Sequence, residues 1–327
     1  MTRLVAALSG LVLLLMGASV AIGAAPLDVA AALRDLLAGR RSLDALILAE
    51  LRLPRAVLGA AVGFSLGLTG AALQGLMRNP LADPGLVGVS GAAALGAVVA
   101  FYFGFSARFA LALPLGGLAG AGLATAVLLH LVRRGAGTAT LILAGVAVNS
   151  LAGALTALAL NLAPSPYAAL ELVFWLMGSL SDRSLLHVAL ALPFMALGCA
   201  LVLATGRAMD ALTLGEETAE SLGVSLRRAR LLVIGGTAAA VGASVAVAGA
   251  IGFVGLVVPH LMRPFVGHRP GRLLLASGLA GAALTLSADI AVRLVPTRPE
   301  LKLGVVTALI GAPFFLALLR RLKAGDA

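Results

Sequence analysis

Of the 327 residues, 61% are hydrophobic and only 12% are charged, and the mean hydropathy is +1.07. A soluble globular domain carries about 25% charged residues, so this chain lacks the polar surface to wrap a compact body in water, and lipid must cover it. The net charge of +10 does not mark a nucleic-acid binder, because the arginines sit in small groups between apolar runs, as membrane topology signals do.

Apolar runs bounded by charge, proline or glycine clusters predict an all-α, polytopic membrane protein of one domain with about ten transmembrane helices. The spans fall at about 4–25, 53–76, 86–105, 110–132, 139–162, 185–205, 229–250, 252–266, 273–294 and 303–319. A barrel is excluded because the runs are continuously apolar rather than alternating. The first, Leu4 to Ala25 behind Arg3, is expected as a retained span: its apolar stretch to Ile22 exceeds the roughly 7–15 residues of a signal-peptide core. The eighth is short for a full crossing. Aromatic residues are 4% and glycines number 40, and small residues let membrane helices approach closely. The lone Cys199 lies inside an apolar run and reads as a packed residue.

Placing the N-terminus inside assigns 14 of the 24 Lys and Arg residues to inner connections and 10 to outer ones, which agrees with the positive-inside rule. Both termini are then cytoplasmic. Arg52 and Arg55 run against this bias and need another reason. Gly70-Ala71 precedes Pro80 by the same interval as Gly249-Ala250 precedes Pro259. Each pair is expected near a span's end before a proline turn, the arrangement of an inverted repeat, although a Gly/Ala-rich chain also produces such echoes by chance.

Four segments carry the remaining signal. In Arg52-Leu53-Pro54-Arg55, the proline suits a helix's first turn, and two arginines three apart can share one face; they read as outward contacts or as interfacial anchors. The stretch Arg78 to Gly88 holds Pro80, Pro84, Gly85 and Gly88. Irregular backbone of this kind is tolerated at membrane depth only where protein buries it or water reaches it, so it reads as a pore-lining loop or as a plain turn. The third segment, Leu214 to Val224 within the long inner connection of about 210–226, opens with Gly215, Glu216 and Glu217 and stops at Gly223, the signals of a short helix. Its Ala219 and Leu222 are expected to form a small apolar face for a soluble partner, or else the helix lies solvated at the interface. In the fourth, Gly249 to His260, glycines allow close contact and Pro259 marks a break; His260 reads as a structural residue rather than a metal ligand.

No catalytic constellation is present in the sequence. A phosphate-binding glycine loop ending in Lys-Ser/Thr is missing, so ATP hydrolysis is not expected on this chain. The four histidines are scattered and predict no metal site. Asp289 lies one helical turn before Arg293 and is expected to pair with it. An ion-coupled secondary transporter, the alternative class, would depend on Asp289 as its intramembrane carboxylate.

Taken in order, these segments closely resemble the permeases of the family that imports iron chelates and vitamin B12 through ABC transporters. The resemblance runs from Arg52 to about Leu319. It rests on Arg52 to Arg55, Asn79 to Gly85, Leu143 to Val146, Trp175 with Met177 to Leu180, Leu214 to Gly223, Gly252 to His260, Ala288-Asp289 with Arg293, Glu300 to Gly304 and Gly311 to Phe314. Departures fall at Lys302, where the family commonly has proline, and at Thr297-Arg298-Pro299.

The resemblance implies a homodimer in a bacterial inner membrane, with its pathway at the dimer axis. Two ATP-binding subunits would lie beneath and a periplasmic substrate-binding protein above. The cargo would be a bulky metal chelate: ferric siderophore or haem first, cobalamin next. Arg52, Arg55 and Arg293 would dock the binding protein. Asn79, Leu81 and the Thr138 turn would form the inner constriction. Gly215, Glu216, Glu217, Ala219, Leu222 and Gly223 would couple to the ATPase. No cofactor is expected on this chain, ATP and Mg belonging to the partner subunits.

Overall fold

The computed structural model describes residues 1–23, 26–109, 111–163, 165–297 and 299–325. Arg298 and the expected boundary residues Ala25 and Ala110 therefore lie outside the described residues. Among those described, helix α1 spans Thr2–Ala21, α2 Val29–Leu37 and α3 Leu43–Leu46, and a π-helical turn over Ile47–Arg52 leads straight into α4, Leu53–Met77. A 3₁₀ turn at Pro84–Val87 precedes α5, Val89–Tyr102, followed by α6, Ala112–Arg133, α7, Thr138–Asn161, and α8, Pro166–Leu176. Next come α9, Leu185–Leu203, α10, Gly206–Leu212, α11, Glu216–Ser221, and α12, Leu226–Ala248. The chain ends with α13, Val254–Met262, running into a 3₁₀ turn at Arg263–Val266, then α14, Pro270–Leu294, and α15, Leu303–Gly325.

All ten expected spans coincide with helices. Seven are long and apolar enough to cross a membrane: α1, the continuous Leu43–Met77, α6, α7, α9, α12 and α14. Helices α5 and α13 are shorter apolar helices, and α13 confirms the short eighth run. Helix α8 is absent from the sequence-based reading. Pro166 occupies its first turn and the Ser165 hydroxyl accepts from the Ala168 N–H at 3.2 Å, so residues that read as a break are a helix start.

Pro54 lies in the first turn of α4, as expected, and that helix continues from a π-helical turn rather than starting free. The Leu53 N–H reaches back to the Leu48 carbonyl, a five-residue step that absorbs the hydrogen bond Pro54 cannot donate. The Gly-Ala echo does not correspond to two equivalent ends. Gly70-Ala71 lies within α4, seven residues short of Met77, whereas Gly249 follows α12 directly, and Pro259 is inside α13.

Helices α4, α12 and α14 form the buried centre, while α1 and α7 show most of their length outward. Close backbone approach builds this centre. A β-carbon on Gly67 would lie 2.1 Å from the Ser277 carbonyl oxygen, and one on Gly63 2.3 Å from that of Gly281. The α4–α14 contact is thus a small-residue seam of the kind that holds membrane helices together without large side chains.

Candidate functional site: a charged cluster, two chain breaks and a docked surface segment

One end of the bundle gathers buried charges. Arg55 of α4 donates from Nε to Asp289 Oδ1 and Oδ2 at 3.0 and 3.1 Å and from Nη2 to Oδ1 at 2.9 Å. Its guanidinium also holds Glu300, through Nη1 at 3.3 Å and a close Nη2 contact. Arg293 Nη2 approaches the other oxygen of Asp289 at 2.9 Å. Side-chain exposures are 14% for Arg55, 6% for Arg293, 1% for Asp289 and 34% for Glu300. Two cations and two carboxylates thus neutralise one another, with Asp289 and Arg293 buried, Arg55 nearly so and Glu300 at the wetted edge, and a buried charge requires such a partner. Burial would raise the Glu300 carboxyl, but Arg55 and the Ser181 hydroxyl, donating at 3.1 Å, together hold it below the ordinary range.

The remaining donors cap a helix. Arg293 Nη1 gives hydrogen bonds to the carbonyls of Ser19 and Ile22 at 2.8 and 2.7 Å, and Arg52 Nη1 to those of Val20 and Ala21 at 2.8 and 2.7 Å. These carbonyls lie at the C-terminus of α1, where the last turn lacks intrahelical donors and carries the negative end of the dipole. Arg52, Arg55 and Arg293, the residues expected to dock a binding protein, are thus all engaged by partners within the chain. Their guanidinium groups reach the end of α1, Asp289 and Glu300. The expected Asp289–Arg293 pair is present, with Arg55 as an unforeseen third member.

At mid-chain depth the two proline- and glycine-rich breaks meet. A β-carbon on Gly255 would lie 2.6 Å from Pro84 Cδ, so the break before α5 packs directly on the start of α13. They border a cavity of about 200 Å³ that Asp83, Ser90 and Ser244 line beside apolar residues. The loop is internally braced: Asn79 Oδ1 accepts from the Leu81 N–H at 2.9 Å, and Asp83 Oδ1 from the Gly85 N–H at 2.8 Å. Gly88, at φ 79°, has no room for a side chain against the Gly145 carbonyl, which seats the loop on α7. Asn79 is exposed and Leu81 half-buried. Thr138 opens α7 with its hydroxyl buried and no hydrogen-bond partner, so no such bond ties it to Asn79.

Two further motif segments, around Gly178 and Gly304, converge on Gly249 and its neighbours. The Ser179 N–H donates to the Ala248 carbonyl at 2.7 Å and the Gly304 N–H to that of Gly178 at 3.4 Å. Lys302, the departure noted above, places Nζ 5.5 Å from the Phe174 ring centroid of α8, within reach of a cation–π attraction. His260 sets its ring edge-on to Phe314 at 5.8 Å. Among the described residues no cluster of three His, Cys, Asp or Glu side chains could hold a metal.

At the opposite end, α10 and α11 form a segment attached to the bundle. The Asp210 carboxylate accepts from the Gly271 N–H at the start of α14 at 2.8 Å, Arg230 of α12 pairs with Glu216 at 3.0 Å, and buried Met209 packs on Gly75 of α4. Ala219 is 0% exposed and Leu222 62%. The expected Ala219–Leu222 apolar face is thereby corrected: Ala219 is buried against the chain's own helices, and Leu222, the residue that caps α11, is exposed. Leu214 and Leu222, with Glu217 and Glu220, form the surface left open, while Gly215 and Gly223 supply left-handed turns at φ 115° and 82°. Sequence reasoning also missed Glu300, Ser181 and Arg78, whose partners are distant in the chain.

An all-helical bundle with a buried charged end, two broken segments meeting at its middle and a small helical platform at its other end defines a multi-pass transport permease. The chain belongs to the FecCD transport family, whose model matches residues 11–321. It is 44% identical over 277 residues to the cobalamin import system permease protein BtuC of Halobacterium salinarum, covering 84% of this chain and 73% of that protein. It is 39% identical over 276 residues to the hemin transport system permease protein HmuU of Yersinia pestis, covering 83% and 82%. A solved structure described as an inward-facing conformation of a metal-chelate-type ABC transporter superposes with a TM-score of 0.84 at 30% identity, covering 98% of this chain and all of that one.

Proposed function

We propose that this chain is the membrane channel of a bacterial inner-membrane importer that two ATP-hydrolysing subunits drive and a periplasmic binding protein supplies. It would work as a homodimer, carrying a bulky metal chelate of the ferric siderophore, haem or cobalamin class. The supporting observation is the α10–α11 platform. Its inner face is buried on the bundle through Met209 and Ala219, and its outer face, Leu214 and Leu222 with Glu217 and Glu220, is bare. A segment with exposed leucines and glutamates, fixed to the ends of α4, α12 and α14, suits a soluble motor subunit that pushes on the bundle. In this reading the platform is cytoplasmic, and Asn79, Leu81 and Thr138 narrow the pathway beside it. ATP and Mg reside on the motor subunits.

Relatives named for cobalamin, for hemin and, at 35% identity, for iron uptake support a shared cargo class. The secondary-transporter alternative loses its motive, since the Asp289 carboxylate is already held by Arg55 and Arg293. Proteoliposomes containing the chain with its co-expressed ATPase and binding protein should accumulate at least one of labelled cobalamin, haem or ferric siderophore only when ATP is supplied. Accumulation driven by an ion gradient without ATP would overturn the proposal.

A further inference from the structure

The α10–α11 platform is held to the spans by Met209 against Gly75 and by Asp210 on the Gly271 N–H. These attachments, and the Arg230–Glu216 pair with α12, grip the helices, leaving the irregular loop free of them. Arg78 is different. It directly precedes Asn79-Pro80-Leu81, ends α4 in a left-handed conformation at φ 48°, and turns the chain into the loop through the Asn79 N–H bond to the Gln74 carbonyl at 3.2 Å. Its guanidinium Nη2 donates to the Leu212 carbonyl, the last of α10, in a close contact. The same nitrogen would lie 4.0 Å from a β-carbon on Gly215, the residue that caps the start of α11. The hinge of the loop and the junction of the platform thus share one side chain.

We infer that Arg78 is the strut that transmits movement of the α10–α11 platform to the Asn79–Leu81 loop. The inference rests on the importer reading above and adds a positioning residue to it. Three physical features fit. A cation at the C-terminus of α10 meets the negative end of that helix. A charged donor makes the stronger class of hydrogen bond. And the acceptor is backbone, so displacement of the platform is conveyed without depending on a second side chain's rotamer. Arg78 itself touches no cargo in this account; it acts through the loop it anchors.

The test uses the assembled complex on a Cys199→Ala background with Leu81→Cys as a reporter. The rate at which a water-soluble thiol reagent modifies position 81 is measured with and without ATP, alongside ATP-driven uptake. Arg78→Gly removes the guanidinium and suits the left-handed φ, so thermal stability and subunit assembly should match the parent. Its nucleotide-dependent change in labelling should vanish, and uptake should fall roughly tenfold, within the range of about 5–150-fold usual for coupling between sites. Arg78→Lys, which keeps a cationic donor, should restore most of both. A parental labelling response in Arg78→Gly overturns the strut while leaving the importer reading intact, and equal defects in the Gly and Lys variants overturn the donor role. If the parent itself transports with ATP but shows no change at position 81, the strut falls while the importer stands. If the parent neither transports nor responds, both fall.

Discussion

Arg55 and Asp289, 234 positions apart, meet in a two-pronged contact in which Nε reaches both carboxylate oxygens and Nη2 reaches one of them, at 2.9–3.1 Å. Arg293 closes the other side of the same carboxylate at 2.9 Å. This shared acceptor locks α4 to α14, while the remaining donors of Arg293, with Arg52, hold the end of α1. The cluster stabilises the end of the bundle from within.

Removing the shared charge should therefore be severe. Asp289→Asn leaves Arg55 and Arg293 with one compensating carboxylate, Glu300, and breaking a buried pair costs about 3–5 kcal/mol. The expected result is a clear drop in apparent melting temperature of the detergent-purified protein, followed by reaction of buried Cys199 with a fluorogenic thiol dye. Arg55→Glu should show the same loss whether or not a binding protein is present. An unchanged melt in both variants would refute the structural role.

The close glycine packing of α4 on α13 predicts a paired contrast. A β-carbon on Gly70 would lie 2.0 Å from the backbone oxygen of Gly255, whereas one on Gly122 meets nothing within 4 Å. Gly70→Ala should destabilise by at least about 1–3 kcal/mol through overpacking. Gly122→Ala should be neutral or gain about 0.5–1 kcal/mol from helix preference. The same melting assay separates them, and equal effects would show that the close approach is not limiting.

The spans were legible because a long apolar run is a local property, and α4, α6, α7, α12 and α14 each carry theirs in consecutive residues. Helix α8 was hidden because Ser165 and Pro166 signal a break and a helix start alike. The charged cluster was only half legible. Asp289 and Arg293 share one helix and their spacing shows the pair, but Arg55 and Glu300 reach it only through tertiary folding. Spacing places Arg52 and Arg55 near one face without saying whether that face is turned inward. The platform shows the same limit: the acidic start and Gly223 stop mark α11, but only its packing on the bundle shows that Ala219 is covered and Leu222 is not.

Glu300 gives a pH dependence with a defined sign. Its folded pKa is held below the ordinary carboxylate value by Arg55, so the stability it contributes is present above the unfolded pKa, about 4.3, and is lost as pH falls through the lower folded value. The apparent melting temperature should drop more steeply on acidification below about pH 4.3 in the parent than in Glu300→Gln, which starts lower and lacks this titration. Parallel curves would mean that Glu300 contributes no linked stability.

The platform yields the sharpest separation of structure from partner contact. Leu222 is 62% exposed and beside Glu220, whereas Ala219 is 0% exposed and faces the chain's own helices. Leu222→Asp places a charge on an already wetted surface, so the isolated permease should melt as the parent does. If the platform seats a motor subunit, that same charge is buried on assembly. It should weaken co-purification of the ATPase or uncouple hydrolysis from uptake, because an unpaired carboxylate in an apolar contact is costly. Ala219→Asp buries its charge even in the isolated chain and should lower the melt before any partner is added. Measuring melting of the permease alone and recovery of ATPase on a tagged permease sorts the two. A Leu222→Asp permease that keeps full ATPase recovery and coupled uptake would remove this face from the interface.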